Sequence, residues 1–455
     1  MTRAVGTMVL ALTAAQLARV PPAAAQGLPE ADERTTRPIS MDQAIDQALT
    51  RNASLAIADE RATIAAQDAR GARSRLWPQL MAEAGYLRSV DPVVAFGTKL
   101  RRAEFSQRDF DLEQLNHPDP VEDWSADVAA RWTLLDPRVW AGASAARHQA
   151  RSARWSATRT REATRLQTRV LYYRAVHAAA SLGAAEAAEA AARATHETFR
   201  QRREQGLLTE ADVLQAEAEL SAAEATRADA ERARLDALQD LGQQLGWDPD
   251  TLPLPTDTLQ APEPLPEAPF EPERRADIRG LSAAIEAADA ARRQASMELA
   301  PALEVSAVYV KHAGELFSSD ATDWTVNVAL RWTLFSGFGR FARIDRAAAE
   351  RRIARLEYAD AVRRARRESD GAERAVAAAR RQVEATGHAR SAAEAARDLM
   401  RRRFEQGLST ATDLLQAEAR ARDMRVRAIA ALAGYHVALA RLEFVRSQAS
   451  PANPR

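Results

Sequence analysis

The sequence predicts a mostly α-helical chain with a small β part, built from one unit used twice. Three observations predict this. A fifteen-residue segment recurs late in the chain, long Pro-free runs rich in Ala and Arg flank both copies, and two Trp-bearing segments alternate apolar with polar residues.

The recurrence is the strongest of these signals. Residues 204–218 return as residues 405–419, with eleven of fifteen positions identical at an offset of 201. Upstream, residues 123–136 return as 323–336, with eight of fourteen identical at an offset of 200. Two matches in the same order at nearly the same spacing mark a tandem duplication. The organisation expected is a signal peptide over 1–25, a first repeat over 26–248, a connector over 249–275, a second repeat over 276–448 and a tail over 449–455. In the connector, eight prolines lie between Pro249 and Pro272. Such a stretch is expected to form neither helix nor central strand, and reads either as a flexible linker or as an extended strap.

Each unit reads helix, strand, strand, long helix, turn, helix. Ser40 can cap a helix over 41–76 that Trp77-Pro78 stops. A second Pro-free run, 138–205, would be about 100 Å long as one helix. Gly206 ends it, and a further helix runs from Thr209 or Glu210 to about 246. The second unit repeats the pattern with helices over 277–299, 340–405 and 411–446. The shorter helices, stacked end to end, match the long one in length. A coiled helical barrel or bundle would cover their scattered leucines.

Composition narrows the chemistry. The chain has 455 residues, with 63 Lys+Arg against 63 Asp+Glu and no Cys. Zero net charge argues against nucleic acid, which needs a basic surplus. Without Cys there is no disulfide framework, thiolate site or acylated N-terminal anchor. The seven histidines are dispersed, and neither a Gly-rich phosphate loop nor a Gly-x-Ser-x-Gly elbow is present, so no catalytic residue, cofactor or metal is expected. No apolar run is expected to be long enough to span a bilayer as a helix; the longest, Met8–Ala18, follows Arg3 and precedes Ala23-Ala24-Ala25, the pattern of a cleaved secretory signal.

Hydropathy averaged over a window misses the strands. In the second copy Trp324, Val326, Val328, Leu330, Trp332 and Leu334 share one face, against Thr325, Asn327, Ala329, Arg331 and Thr333. The first copy, from Trp124 to Trp132, alternates likewise. Apolar alternation with Trp at both ends is the pattern of a transmembrane β-strand, with lipid outside and water inside. A half-buried strand of a soluble sandwich shows the same alternation, but no other β-rich segment is available to pair with it. Partner strands follow Pro78 and Pro301, so the expected strands are about 79–88, 123–135, 302–311 and 323–335. Four strands cannot close a barrel, and an open sheet leaves bare backbone in lipid. Other copies of the chain must complete it: two give eight strands, three give twelve. By parity Arg131, Arg331, Glu83 and Glu304 face the lumen, where the acids can pair with the arginines, and Trp124, Trp132, Trp324 and Trp332 mark the membrane interfaces.

Both units end in Gln-Gly-Leu-x-Thr-x-x-Asp-x-Leu-x-Ala. Together with the duplicated Trp strands and the segment Ile39 to Leu49, this motif resembles the TolC-like outer-membrane efflux proteins, over about residues 38–448. The resemblance implies a homotrimer with a twelve-stranded outer-membrane barrel continued by a periplasmic tunnel of long helical hairpins. It implies the exit duct of a tripartite efflux system for drugs or other small solutes, docked to a periplasmic adaptor and, through it, to an inner-membrane pump. The implied adaptor-docking tip comprises Gly206, Leu207, Thr209, Gly407, Leu408 and Ser409. In the family a Tyr, an Arg and two Asp close the tip. Here Asp413 matches the first Asp and Asp212 its counterpart in the other repeat, whereas Gln416, Ser409 and Phe404 occupy the remaining positions. The charged constriction is therefore only partly present. Rival readings are a type I protein secretion duct and a soluble periplasmic coiled-coil scaffold; the scaffold leaves the duplicated strands unexplained.

Overall fold

The computed structural model describes residues 35–260, 262, 269–315 and 321–448. The signal peptide and the tail lie outside these residues. In the first repeat the elements are β1 (Thr35–Ile39), α1 (Met41–Arg51), α2 (Ala53–Ser74), β2 (Gln79–Ser89), α3 (Pro92–Arg101), α4 (Leu112–Asn116), β3 (Val121–Leu135), α5 (Pro137–Glu204) and α6 (Glu210–Leu245). The connector contributes β4 (Thr251–Pro255). The second repeat supplies α7 (Ala276–Ser296), β5 (Ala302–Ala313), β6 (Ala321–Arg331), α8 (Gly339–Glu405) and α9 (Ala411–Val445).

Local sequence explains most boundaries. Ser40 and Gln43 form a reciprocal capping box that starts α1. The helix expected over 41–76 is in fact two, because Asn52 leaves helical geometry. Its side-chain oxygen accepts from the backbone N–H of Ser54 and Leu55, and its amide donates to the Gln244 carbonyl at 3.1 Å. Gly246, at φ +69, closes α6 against this break; a Cβ there would stand 3.0 Å from the Arg51 carbonyl oxygen. Asp136 caps α5 from just before Pro137, a residue suited to the first helical turn.

The long helix α5 is covered piecewise, as its length suggested. Along its first half Ser152 Oγ donates to the Gly280 carbonyl of α7 at 2.9 Å, and Arg161 pairs with Asp59 of α2 at 3.1 Å. Farther on, Arg174 and Arg193 pair with Asp240 and Glu224 of α6. Helix α8 packs likewise against α7 and α9. The main apolar cluster gathers Ile39, Ala44, Ala48, Tyr172, Ala175, Leu238, Leu241, Leu245 and Leu252 where α1, α5 and α6 meet β1 and β4. Burying each Leu or Ile there contributes about 1.5–3 kcal/mol.

Three expectations need correction. First, the strands outnumber the expected four: the connector, which holds no central strand, contributes the edge strand β4, paired in parallel with β1 from Thr35↔Thr251 to Ile39↔Pro255. A two-stranded pair has only edges, so Pro38, Pro253 and Pro255 remove few ladder bonds. The described residues therefore hold six strands, not four. Second, β6 ends at Arg331 rather than 335, because its neighbour β5 begins opposite it at Ala302. Third, a window within α9 reaches a mean hydropathy of 1.4, so by length and composition this helix could cross a bilayer. The interruptions Arg441 and Glu443 hid it from a search for unbroken apolar runs; in the fold its Tyr435 and Leu442 are buried beside Val376 of α8.

Candidate functional site: a two-faced sheet and paired helical tips

The four remaining strands form one antiparallel sheet in the order β2-β3-β5-β6. Each repeat supplies one hairpin, and β3 pairs with β5 across the duplication. Register confirms a common parity. Gln79, Arg131, Ser306 and Asn327 form one cross-strand row; Glu83, Asp127, Val310 and Asp323 form another. Glu304 lies on this same polar face, 3.3 Å from Arg331. Glu83 is opposite Asp127 rather than Arg131, so the acid–base pairing expected in both hairpins is present only in the second.

The other face carries Leu80, Tyr86, Trp124, Val128, Trp132, Leu303, Tyr309, Trp324, Val326 and Leu330. Many are open to solvent in the single chain: Trp324 is 74% and Leu330 67% exposed. At one end Tyr86 is opposite Trp124, with ring centroids 4.6 Å apart, and Tyr309 is opposite Trp324. At the other end the indole of Trp132 donates to the Leu76 carbonyl, and that of Trp332 to the Leu299 carbonyl, both at 3.1 Å. Trp332 lies one residue beyond β6 yet keeps the position of its repeat counterpart.

A site not foreseen lies at the far end of the polar face. His312 Nδ1 is 2.8 Å from Asp123 Oδ2, both side chains are buried, and Asp323 Oδ2 stands 3.9 Å from His312 Nε2. The signal was present in the sequence, since His312 continues the alternate positions of β5 one step past the expected strand end. Beside it, the long insertion between β2 and β3 is folded. Phe96, Phe105 and Phe110 stack edge to face at 4.7 and 5.2 Å, and Lys99 pairs with Asp109 at 2.8 Å.

The opposite ends of the long helices are two hairpin tips of nearly identical design. Gly206 (φ +74) and Gly407 (φ +73) take the left-handed geometry that reverses the chain. Thr209 and Thr410 each start the returning helix with a capping box, in which Asp212 and Asp413 accept from the cap residue's N–H and hydroxyl. In both cases Oδ2 makes these contacts. The Thr410 hydroxyl and N–H hold Asp413 below the usual carboxylate range. Leu207 and Leu408 project outward, 67% and 63% exposed, while Ser409 Oγ turns back to the Met400 carbonyl at 3.4 Å.

The two tips pack against each other. Phe199 and Phe404 meet with centroids 5.2 Å apart, Arg202 lies over the Phe404 ring, and its Nη1 donates to the Phe404 carbonyl at 3.0 Å. Thus Phe404 is buried and joins the two repeats. Arg202 was not foreseen, because only its cross-repeat contact distinguishes it from the many other arginines.

Comparison with known proteins bears on this arrangement. A family model described as outer membrane efflux protein matches residues 44–247 and 272–445, most of the chain. A search of curated protein sequences finds no match. Among solved structures, a membrane protein from Pseudomonas aeruginosa is similar at a TM-score of 0.77 and 22% identity, covering 90% of this chain and 93% of that one. The Campylobacter jejuni CmeC outer membrane channel is similar at 0.75 and 16%, covering 89% and 85%. The open state of the Neisseria gonorrhoeae MtrE outer membrane channel is similar at 0.74 and 21%, covering 89% and 88%.

Proposed function

Because the chain belongs to the outer membrane efflux protein family, we propose that three copies form an outer-membrane channel, the exit duct of a tripartite efflux system for drugs or other small solutes. The observation that carries this is the sheet. Its outer strands β2 and β6 have bare edges, its one face is apolar and its other polar. In lipid such edges must be paired. Strand β6 runs antiparallel to the β2 of a neighbouring copy, so three copies close twelve strands with Arg131, Arg331, Glu83 and Glu304 in the lumen. Trp124 and Trp324 then sit at one membrane interface, Trp132 and Trp332 at the other.

The hairpins α5–α6 and α8–α9 extend from this barrel as a periplasmic tunnel. At its tip, Gly206, Leu207, Thr209, Gly407, Leu408 and Ser409 present the docking surface for a periplasmic adaptor, which couples the duct to an inner-membrane pump. The exposure of two leucines at equivalent positions supports this, since nothing among the described residues covers them. Asp212 and Asp413 ring the entrance with six carboxylates per trimer. Their Oδ2 atoms serve the caps; the Oδ1 atoms have no hydrogen bond among the described residues and are available to cations. The barrel itself anchors the protein in the membrane.

Membrane fractionation followed by native mass measurement in detergent tests the reading. The protein is expected in the outer-membrane fraction, extracted only by detergent, with the mass of three chains and a conductance in planar bilayers. A soluble, monomeric protein would overturn it.

A further inference from the structure

The folded insertion between β2 and β3 is larger than a hairpin needs, and it has two unlike sides. At about 100° per residue, Ala95 and Thr98, with Arg102 just past the end, fall on one side of α3. Val93, Phe96 and Leu100 fall on the opposite side. Burial follows this division: Ala95 and Thr98 are 1% and 3% exposed, whereas Val93 and Leu100 are 80% and 58% exposed. The first side packs on the end of β3. There Val121 and Asp123 are buried while Glu122 between them is exposed, so α3 covers the polar face of the sheet. Arg102 fastens it, donating from Nη1 to the Glu122 carbonyl at 2.7 Å, and the Asp123–His312 pair ties the two hairpins together beneath.

We infer that this insertion caps the external mouth of the channel, and that its exposed apolar side, Val93, Phe96 and Leu100, docks against the same insertion in the other two copies. The inference rests on the trimeric barrel proposed above, and continues that interface from the strand edges to the axis. Size supplies the reason. Twelve strands about 4.8 Å apart and tilted about 40° close a barrel about 24 Å across. Its radius is about the 10–12 Å diameter of one helix with side chains. A helix seated on the inner wall therefore reaches the axis, and three of them must touch. The side each presents to the axis is the apolar one. That composition suits contact with its own copies and is unsuited to lining an open aqueous mouth.

The absence of cysteine makes a direct test available. In full-length Leu100→Cys protein, purified in detergent as a trimer by native mass, copper-phenanthroline is expected to link two copies covalently. Val93→Cys is expected to do the same. As a second measurement, replacing residues 92–116 by a short Gly-Ser turn is expected to raise single-channel conductance at least twofold. A trimer in which both thiols stay unlinked and react at once with a membrane-impermeant maleimide would overturn the cap. So would quenching of a fluorophore on Leu100→Cys by a lipid-phase quencher, which would place the patch against membrane. A monomeric native mass would remove the trimer reading along with this one, whereas a trimer with uncoupled thiols removes this one alone.

Discussion

Tyr172 of α5 donates its hydroxyl to Asp257 of the connector at 2.5 Å, and the same carboxylate oxygen accepts the Met41 N–H at 2.8 Å. One buried phenol thus joins the long helix, the start of α1 and the segment between the repeats. His436 of α9 extends the attachment, with Nε2 3.0 Å from the Gln260 carbonyl and its ring stacked on Tyr173. Of the two readings open from composition, the connector is a strap over the described part.

Burial, then the Asp257 carboxylate, pushes the Tyr172 hydroxyl up to about 12. A raised value means that the neutral phenol is favoured in the fold. Its contribution is complete below the ordinary tyrosine value near 10 and is lost as pH rises through about 12. Tyr172→Phe is expected to cost about 1–3 kcal/mol at neutral pH, since it removes a donor from a shielded carboxylate. Thermal melts in detergent, taken between pH 8 and 12, should show the wild type losing its advantage over the variant at the alkaline end.

The indoles of Trp132 and Trp332 hold the segments just after α2 and α7, at Leu76 and Leu299, to the strands. Replacing either by Phe keeps the ring and removes the donor, at an expected cost of about 0.5–1.5 kcal/mol each. Loss of trimer on heating in detergent, followed by gel mobility, measures this. The double variant should show the sum, because the sites belong to separate hairpins.

At the tip, Leu207→Ser with Leu408→Ser is expected to abolish co-purification with the adaptor while leaving the melting temperature within about a degree, as both side chains are exposed. Gly206→Ala and Gly407→Ala meet no neighbouring atom but must hold positive φ, and each should cost about 1–2 kcal/mol. Asp212→Asn with Asp413→Asn is expected to remove cation block in single-channel recordings. If block persists unchanged, the carboxylates act only as caps.

Arg131→Ala with Arg331→Ala would withdraw six guanidinium groups from a trimer's lumen. Reversal potentials across a salt gradient are expected to move severalfold toward cation preference, more strongly at low ionic strength. Glu304, left without Arg331, enhances the shift.

The duplication, the long helices and the two-faced strands were legible because each is written in local periodicity. Gly206 and Gly407 announced the turns, and Thr209 the start of a returning helix. What could not be read depends on partners far apart in the chain. Leu252 and Leu254 are strand residues only because β1 stands beside them. Asn52 breaks a helix whose composition would have continued, because the end of α6 offers it a carbonyl. Phe404 became a contact between repeats, and Asp123 a buried partner of His312, through pairings 205 and 189 residues apart. Parity placed Glu83 on the polar face but could not supply the register that sets it opposite Asp127.

The pairing of β1 with β4 also has a consequence in time. As the chain is made or exported from its N-terminal end, Thr35–Ile39 emerges more than two hundred residues before Thr251–Pro255. Closing so wide a loop is slow compared with forming the helices inside it. Ile39 and Leu252 can therefore join the core only after α5 and α6 exist to receive them. The strap is a late stitch, drawn once the helices of the first unit are in place.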